Sequence, residues 1–303
     1  MSVALLSGGT GGAKLARGLY ELLGSELAVI ANTGDDLEIY GADVSPDPDL
    51  VSFWLADRID ERGWGIDGDS FNAMEMFAQL GHEIWFSLGD RDLALCLERR
   101  RLLESGLTRS QAQAVLTRGL GIDAAVIPMS DERVRTMVIS EGRTLTLHEF
   151  LIGTRGAAPI DDIRFEGAAQ AVASPAALEA IAAADAIVIG PSNPIISIGP
   201  ILAIKQIRAA IEASAAPVVA VSPIVGGKVL KGPTAACLEW AGASADAAGV
   251  AGHYGSLIDA IVADEPVAGI RCHQRDTWMG AASARRELAQ ATLELAGELA
   301  GAG

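Results

Sequence analysis

Short, unbroken apolar runs alternate along this chain with longer stretches whose apolar positions recur every three or four residues. That alternation predicts buried strands separated by amphipathic helices. Residues 3–6, 27–31, 84–88, 124–127, 186–189 and 218–221 read as strands, with a last one near 268–272. Helices are predicted over 13–23, 50–59, 92–104, 109–118, 176–184, 200–212, 233–242 and 254–263, with a terminal one from about 280. A further helix runs to about residue 80 behind Asp69 and Ser70. In 13–23, Leu15, Leu19, Leu22 and Leu23 share one face, and Gly24 is a suitable C-cap. Thr108 is a suitable N-cap for 109–118.

The texture changes between 130 and 167. Residues 136–140 and 144–149 are β-rich around a Glu141-Gly142-Arg143 turn, and 163–165 adds a short strand. The expected architecture is a doubly wound, mostly parallel α/β sheet. Residues 1–129 and 168–303 would form the core and 130–167 a small α+β insertion.

Composition narrows the partners. The chain has 303 residues, half of them hydrophobic, enough for one large core. Its net charge of −16 repels nucleic acid and anionic membranes. A phosphate ligand would need local Lys or Arg, backbone N–H groups or a metal ion. Cys96, Cys237 and Cys272 have no metal-ligand spacing and read as reduced thiols of a cytoplasmic protein. No basic leader or long apolar run suggests secretion or a membrane span.

The candidate chemistry follows the strand ends, where open α/β sheets bind ligands. Residues 7–12 hold four glycines between a strand and a helix. One glycine would suffice for packing; four favour a phosphate cradle at a helix N-terminus, with Lys14 assisting. Lys14 replaces the third glycine of a dinucleotide fingerprint, and no Ser or Thr follows it as in a Walker A loop. After the second strand come Asp35, Asp36, Asp43, Asp47 and Asp49. One carboxylate would serve a ribose; this many suggests a hard-cation site, with two as ligands and the rest in turns. Ser192-Asn193 stands between prolines, where base or ribose contact and a rigid loop are both open readings. Gly227-Lys228 and Lys231 could contact phosphate or be solvated. Asp90-Arg91-Asp92 is either an ion pair or a substrate clamp, and one of Trp54, Trp64 and Trp85 could stack on a planar ligand.

These stretches resemble the 2-phospho-L-lactate transferases (CofD/FbiA family) of deazaflavin coenzyme F-420 biosynthesis. The matching pieces include SGGTGGAKL (7–15), NTGDD (32–36), VSPDPD (44–49), LGDRDLA (88–94), IGPSNPIISIGPILA (189–203), VSPIVGGKVLKGP (221–233) and DTWM (276–279). The resemblance implies a Rossmann-like core that moves a phospho-acid from a GDP-linked donor to the ribityl hydroxyl of the deazaflavin Fo. GMP leaves, and Mg²⁺ is the cofactor. By motif, Asp35 and Asp49 would hold the metal or position the hydroxyl, one of them as general base. Asp49, Ser87, Asp90 and Arg91 would face Fo. Gly9, Thr10, Gly11, Gly12 and Lys14 would cradle phosphate, and Ser192, Asn193, Gly227 and Lys228 would lie at the nucleotide. Leu95-Cys96 stands where the family usually has Thr-His, and Gly41-Ala42 where it has Gly-Leu. A homodimer is an open expectation. So are two rival functions on the same architecture: an NAD(P) oxidoreductase and a non-catalytic nucleotide-binding regulator.

Overall fold

The structure is a computed structural model and describes residues 1–230 and 232–301. β1 (Val3–Ser7), α1 (Gly9–Leu23) and β2 (Leu27–Ala31) open the chain. A hairpin of β3 (Leu37–Ile39) and β4 (Ala42–Val44) leads to α2 (Pro46–Leu55). Helices α3 (Asn72–Gln79), α4 (Asp90–Glu104) and α5 (Arg109–Gly119) precede β5 (Ala125–Pro128). β6 (Arg135–Ser140), β7 (Arg143–Thr146), a π-helical turn and β8 (Asp162–Glu166) follow. The α/β alternation resumes with α6 (Pro175–Ala183), β9 (Ala186–Ile189), α7 (Gly199–Ala203), α8 (Lys205–Glu212) and β10 (Val218–Val221). A second hairpin, β11 (Ile224–Val225) and β12 (Lys228–Val229), comes before α9 (Thr234–Trp240), α10 (Ala247–Tyr254), β13 (Ala260–Ala263), β14 (Arg271–Gln274) and α11 (Ala282–Ala300).

Seven strands form one parallel sheet in the order β14-β13-β10-β9-β1-β2-β5. Its inner strands are apolar on both sides because helices cover both faces. Leu6, Ile30 and Ile189 pack toward Ile181 of α6, Ile207 of α8 and Val250 of α10. Leu5, Val29 and Val188 face Leu15 and Leu19 of α1, Val51 of α2 and Leu288 and Leu295 of α11. Each leucine buried this way contributes about 2 kcal/mol. The fold is thus the expected doubly wound, Rossmann-like α/β architecture. From β1 the chain moves outward through β2 and β5; from β9 it moves the other way through β10, β13 and β14. The order reverses between β1 and β9, which makes their carboxyl ends the switch-point crevice.

Residues 130–167 contain the antiparallel β7-β6-β8 sheet. Val138, Leu147, Phe150 and Ile163 pack it onto Ile195, Ile196 and Cys237. No described helix is long and apolar enough to cross a membrane, and the three cysteines are unbridged.

Several local expectations are corrected. Residues 84–88 form no strand. Ile84 and Phe86 instead join a satellite core with Val44, Met74 and Leu88. The segment 89–92 therefore opens α4 without following a strand. Residues 254–263 are not one helix: α10 ends at Tyr254, and Ala260–Ala263 is the buried strand β13. A strand buried on both faces lacks alternation and cannot be told from a buried helix by periodicity. The helix over 200–212 breaks at Ile204, whose backbone is extended. α1 and α2 each begin four residues earlier than expected, which places Gly9, Gly11 and Gly12, and Asp47 and Asp49, inside helical first turns.

Candidate active site

At the switch point the glycines let two segments touch. A Cβ on Gly11 would lie 1.9 Å from the Pro191 carbonyl oxygen, on Gly12 2.3 Å from Ser7 Oγ, and on Gly8 2.7 Å from Ser197 Cβ. Close approach of α1 to the 190–197 loop, and for Gly12 to the end of β1 as well as to Ser192 Oγ (2.8 Å), therefore accounts for three of the four glycines. The fourth, Gly9, adopts φ +64°, which side-chain-bearing residues resist. Two amides at this helix end are already engaged: Gly9 N–H donates to Asp47 Oδ1 (2.6 Å) and Gly12 N–H to Ser192 Oγ (3.1 Å). Among the described residues, the amides of Thr10 and Gly11 have no hydrogen-bond partner. Any anion cradled here would be held by those two. Lys14 Nζ lies 5.8 Å from the ring centre of Trp54.

The aspartates after β2 separate into three groups. Asp36 and Asp43 both meet Arg109, at 2.9 and 2.7 Å, and Ser45 Oγ donates to Asp36 (2.7 Å). Burial pushes Asp36 up to about 6 against the pull of Arg109. Asp49 forms an ion pair with Arg99, which is 1 % exposed. Arg99 also donates to the Asp43 carbonyl (2.9 Å) and to Gln113 Oε1 (3.3 Å). Asp49 is raised by burial and held back by Arg99. Beside this pair stand Asp92 and Cys96, with ligand atoms of Asp49, Asp92 and Cys96 within 4.8 Å of one another. Burial, then the Asp49 charge, push Asp92 up to about 7.

Asp35 and Asp47 form the third group. Asp47 accepts from Gly9 N–H and from Asn32 Nδ2 (2.9 Å), and burial pushes it up to about 6. Asp35 has less support: against burial and the Asp47 charge, the Asn32 side chain and Arg135 favour its charged form. The Asp35 Oδ1 is enclosed without a hydrogen-bond partner, as are Thr33 Oγ1 and Thr136 Oγ1. Burial, then the Asp47 charge, hold Asp35 well above the ordinary carboxylate range. Buried orphan oxygens in one region call for a ligand, water or ion. A hard cation suits Asp35 and its Asp47 neighbour. It suits the Asp49 group less, because that group offers a thiol and a carboxylate already neutralised by a guanidinium.

Asp35 lines a cavity of about 400 Å³ together with Trp85, Arg133, Arg135, His148 and Glu149. The cavity lies between the loop after β2 and the 130–167 insertion. His148 Nε2 is 2.6 Å from the Asp35 carbonyl oxygen; a carbonyl only accepts, so Nε2 carries the proton. Burial lowers the His148 pKa, keeping the ring neutral near pH 7. Of the three tryptophans, Trp54 is buried and Trp64 projects to solvent, whereas Trp85 faces this cavity.

The remaining predicted residues lie elsewhere or are occupied. Asp90 accepts from Ser70 Oγ (2.7 Å), Asn72 Nδ2 (2.8 Å) and the amides of Asn72 and Ala73 (3.1 and 2.9 Å). It caps α3, and these bonds pull its pKa down to about 2, the Ala73 amide most. Asp69 reciprocates by accepting from the Arg91 and Asp92 amides of α4 (2.9 and 3.1 Å). Asp69 and Ser70 thus precede α3 as expected, but the cap comes from Asp90. Arg91 donates to the Asp67 carbonyl, and Ser87 is exposed. Asn193 Oδ1 accepts from the amides of Ile195 and Ile196, and its Nδ2 donates to Thr234 Oγ1, so it shapes its own loop. Gly227 and Lys228 sit on the exposed β11–β12 hairpin; Lys231 lies outside the described residues. Sequence reasoning missed Arg99, Arg109, Arg133, Arg135 and His148, and it named Asp92 only as a neighbour of Arg91, not beside Asp49 and Cys96. Only Cys96, as a departure from the family pattern, marked its helix as unusual.

The profile of the family described as 2-phospho-L-lactate transferase CofD matches residues 3–294. The chain belongs to this family. Relatives carry two activities in their names. The 2-phospho-L-lactate transferase of Methanosarcina acetivorans is 36% identical over 94% of this chain and 96% of its own. The phosphoenolpyruvate transferase of Streptomyces griseus is 39% identical over 99% of each. A solved member of the UPF0052 family from Bacillus halodurans has the same fold, with TM-score 0.62, 18% identity and coverage of 96% of this chain and 98% of that one.

Proposed function

We propose that this chain moves a phospho-acid group (phospholactyl, phosphoenolpyruvyl or phosphoglyceryl) from a guanosine-diphosphate-linked donor to the ribityl hydroxyl of the deazaflavin Fo, releasing GMP, as a step of coenzyme F-420 biosynthesis. Membership in a transferase family over residues 3–294 supports the reaction class. The observation that carries the site reading is the cavity in which Asp35 stands among Arg133, Arg135, His148 and Trp85. The hydroxyl oxygen bonds to the phosphorus next to the acid, and the bond from that phosphorus to the GMP oxygen breaks. The hydroxyl proton passes to a carboxylate; Asp35, raised by burial and by Asp47, has the affinity for it. Arg133 and Arg135 suit the phosphate and carboxylate charges of the moving group. Trp85 offers a face for the flat deazaflavin ring. Transfer of this kind needs positioning and charge stabilisation more than covalent help. Mg²⁺, held by Asp35 with Asp47 adjoining, would neutralise charge on the diphosphate. Asp49, locked to Arg99, is better suited to shaping the acceptor side than to binding the ion.

The test is incubation of the purified protein with Fo, Mg²⁺ and each of the three GDP-linked donors, following product mass and GMP. Product from one donor establishes the transfer and names the acid. If Fo neither reacts nor binds, the proposal fails.

A further inference from the structure

Residues 83–88 bring Trp85 to the Asp35 cavity with little backbone support. They lie between α3 and α4 in no regular structure. Among the described residues, this segment makes no backbone–backbone hydrogen bond. Ile84 and Phe86 lean on the satellite core, and Leu88 is buried in it. Trp85 stays 41% exposed at the cavity. Among the described residues, one hydrogen bond holds the segment's backbone, and it comes from a distant side chain: the Tyr40 hydroxyl donates to the Phe86 carbonyl (2.9 Å).

Tyr40 stands where a tyrosine is disfavoured. Ile39 pairs with Ala42, so Tyr40 and Gly41 form the two-residue tip of the β3–β4 hairpin. Both have positive φ, +54° and +76°. Such tips favour Asn-Gly, and a bulky side chain resists them. Backbone strain of this kind persists only where neighbouring contacts hold it, and it gathers at functional sites. Two contacts hold it here: the Phe86 carbonyl, and Phe77 of α3, whose ring stacks on Tyr40 at 5.2 Å and 18°. The segment in turn touches the far wall of the cavity. The Phe86 ring meets His148 edge-on at 5.1 Å, and His148 Nε2 donates to the Asp35 carbonyl. Asp35 and Tyr40 flank β3. The contacts therefore close a circuit: from Asp35 along β3 to Tyr40, across to Phe86, on to His148 and back to Asp35.

We propose that Tyr40 is a positioning residue: its hydroxyl latches residues 83–88 as a lid on the Asp35 cavity and so fixes Trp85 against it. The proposal rests on the reading of that cavity as the transfer site. A segment held by one hydroxyl and a few apolar side chains opens more readily than the sheet beneath it. Opening admits a substrate; closing brings Trp85 onto it and excludes water. Loss of one ordinary hydrogen bond raises the open fraction roughly two- to tenfold. Tyr40 does this without touching the reacting atoms.

The test compares the full chain with Y40F and Y40N. Y40F keeps the ring and its stack but lacks the hydroxyl. Y40N lacks both, yet suits the positive φ of the tip. Each protein is labelled with 5-fluorotryptophan, the Trp85 resonance is assigned through W85F, and the lid is probed by chymotrypsin cleavage after Trp85 and Phe86. Cleavage there should be roughly two- to tenfold faster in Y40F and faster still in Y40N. The Trp85 fluorine signal should shift or broaden while those of the other tryptophans stay in place. The thermal midpoint of Y40N should not fall below that of Y40F. In the transfer assay, KM for the acceptor should rise by a similar factor in Y40F with kcat little changed. Cleavage and a Trp85 signal unchanged in both variants overturn the latch and leave the transfer reading standing. Faster cleavage with an unchanged acceptor KM overturns the positioning role. A lid loosened in both variants of a protein that transfers nothing to Fo supports the latch and counts against the transferase alone.

Discussion

Asp35 and Asp49 share a motif-derived expectation but occupy opposite electrostatic settings. Asp49 has a full counter-charge in Arg99; Asp35 has an enclosed oxygen without a partner and a carboxylate neighbour. D35N should therefore lower kcat by roughly 10²–10⁴-fold while leaving the thermal midpoint unchanged or higher, because it removes a buried charge. Equal loss of activity and folding would show that Asp35 is only structural. R99M should do the reverse of D35N in stability. It strands Asp49 without its partner, at a cost of about 3–5 kcal/mol, read from urea unfolding. Asp90 shows how misleading a motif can be at this scale. The carboxylate of the LGDRD stretch reads as either an ion-pair partner or a substrate clamp, and its bonds go to the start of another helix.

At the scale of elements, α1 and the 190–197 loop behave as one unit because glycine lets their backbones meet. G11A would drive a methyl group into the Pro191 carbonyl. It should destabilise by about 1–3 kcal/mol and weaken nucleotide binding as the loop shifts, checked by denaturation and calorimetry on the same preparation. The paired caps at the α3–α4 corner make a second unit. D90A should speed amide exchange at Asn72 and Ala73 before it affects the central sheet, and uniform acceleration would argue against a local cap. Helices with clear amphipathic spacing were legible along the chain, as was the Thr108 N-cap, which the structure completes with Gln111 as a capping box. Fully buried β13 was not, because burial on both faces erases the alternation that marks a strand. The run 84–88 was misread for a related reason: its apolar residues serve a small separate core rather than a sheet.

Across the whole molecule, burial of acidic groups sets the response to pH. Asp36 and Asp47 are raised to about 6 and Asp92 to about 7, above the unfolded value near 3.9. Between those values the folded chain binds more protons than the unfolded one. Stability should therefore fall as pH rises from about 4 to 7, and recover on acidification through the same window. Asp90 acts with the opposite sign: its pKa is depressed to about 2, so its contribution is present above about 4 and is lost as pH falls toward 2. Thermal unfolding across pH 4–8 checks the balance; a midpoint that rises steadily toward pH 8 would contradict it. Mg²⁺ should flatten the slope near neutral pH by favouring ionised Asp35 and Asp47.

The amino-acid sequence by itself determined the alternating architecture, the β-rich texture of 130–167 and the family. Those follow from periodicity and from motifs between near neighbours in the chain. Tertiary structure alone decided which aspartates are neutralised and which are left exposed to chemistry. Asp49 meets Arg99 across 50 residues, Asp43 meets Arg109 across 66, and the Asp35 carbonyl meets His148 across 113. No local pattern encodes such pairings. They arise because a parallel sheet gathers distant strand ends along one edge, where burial and the arrangement of counter-charges give similar carboxylates different work.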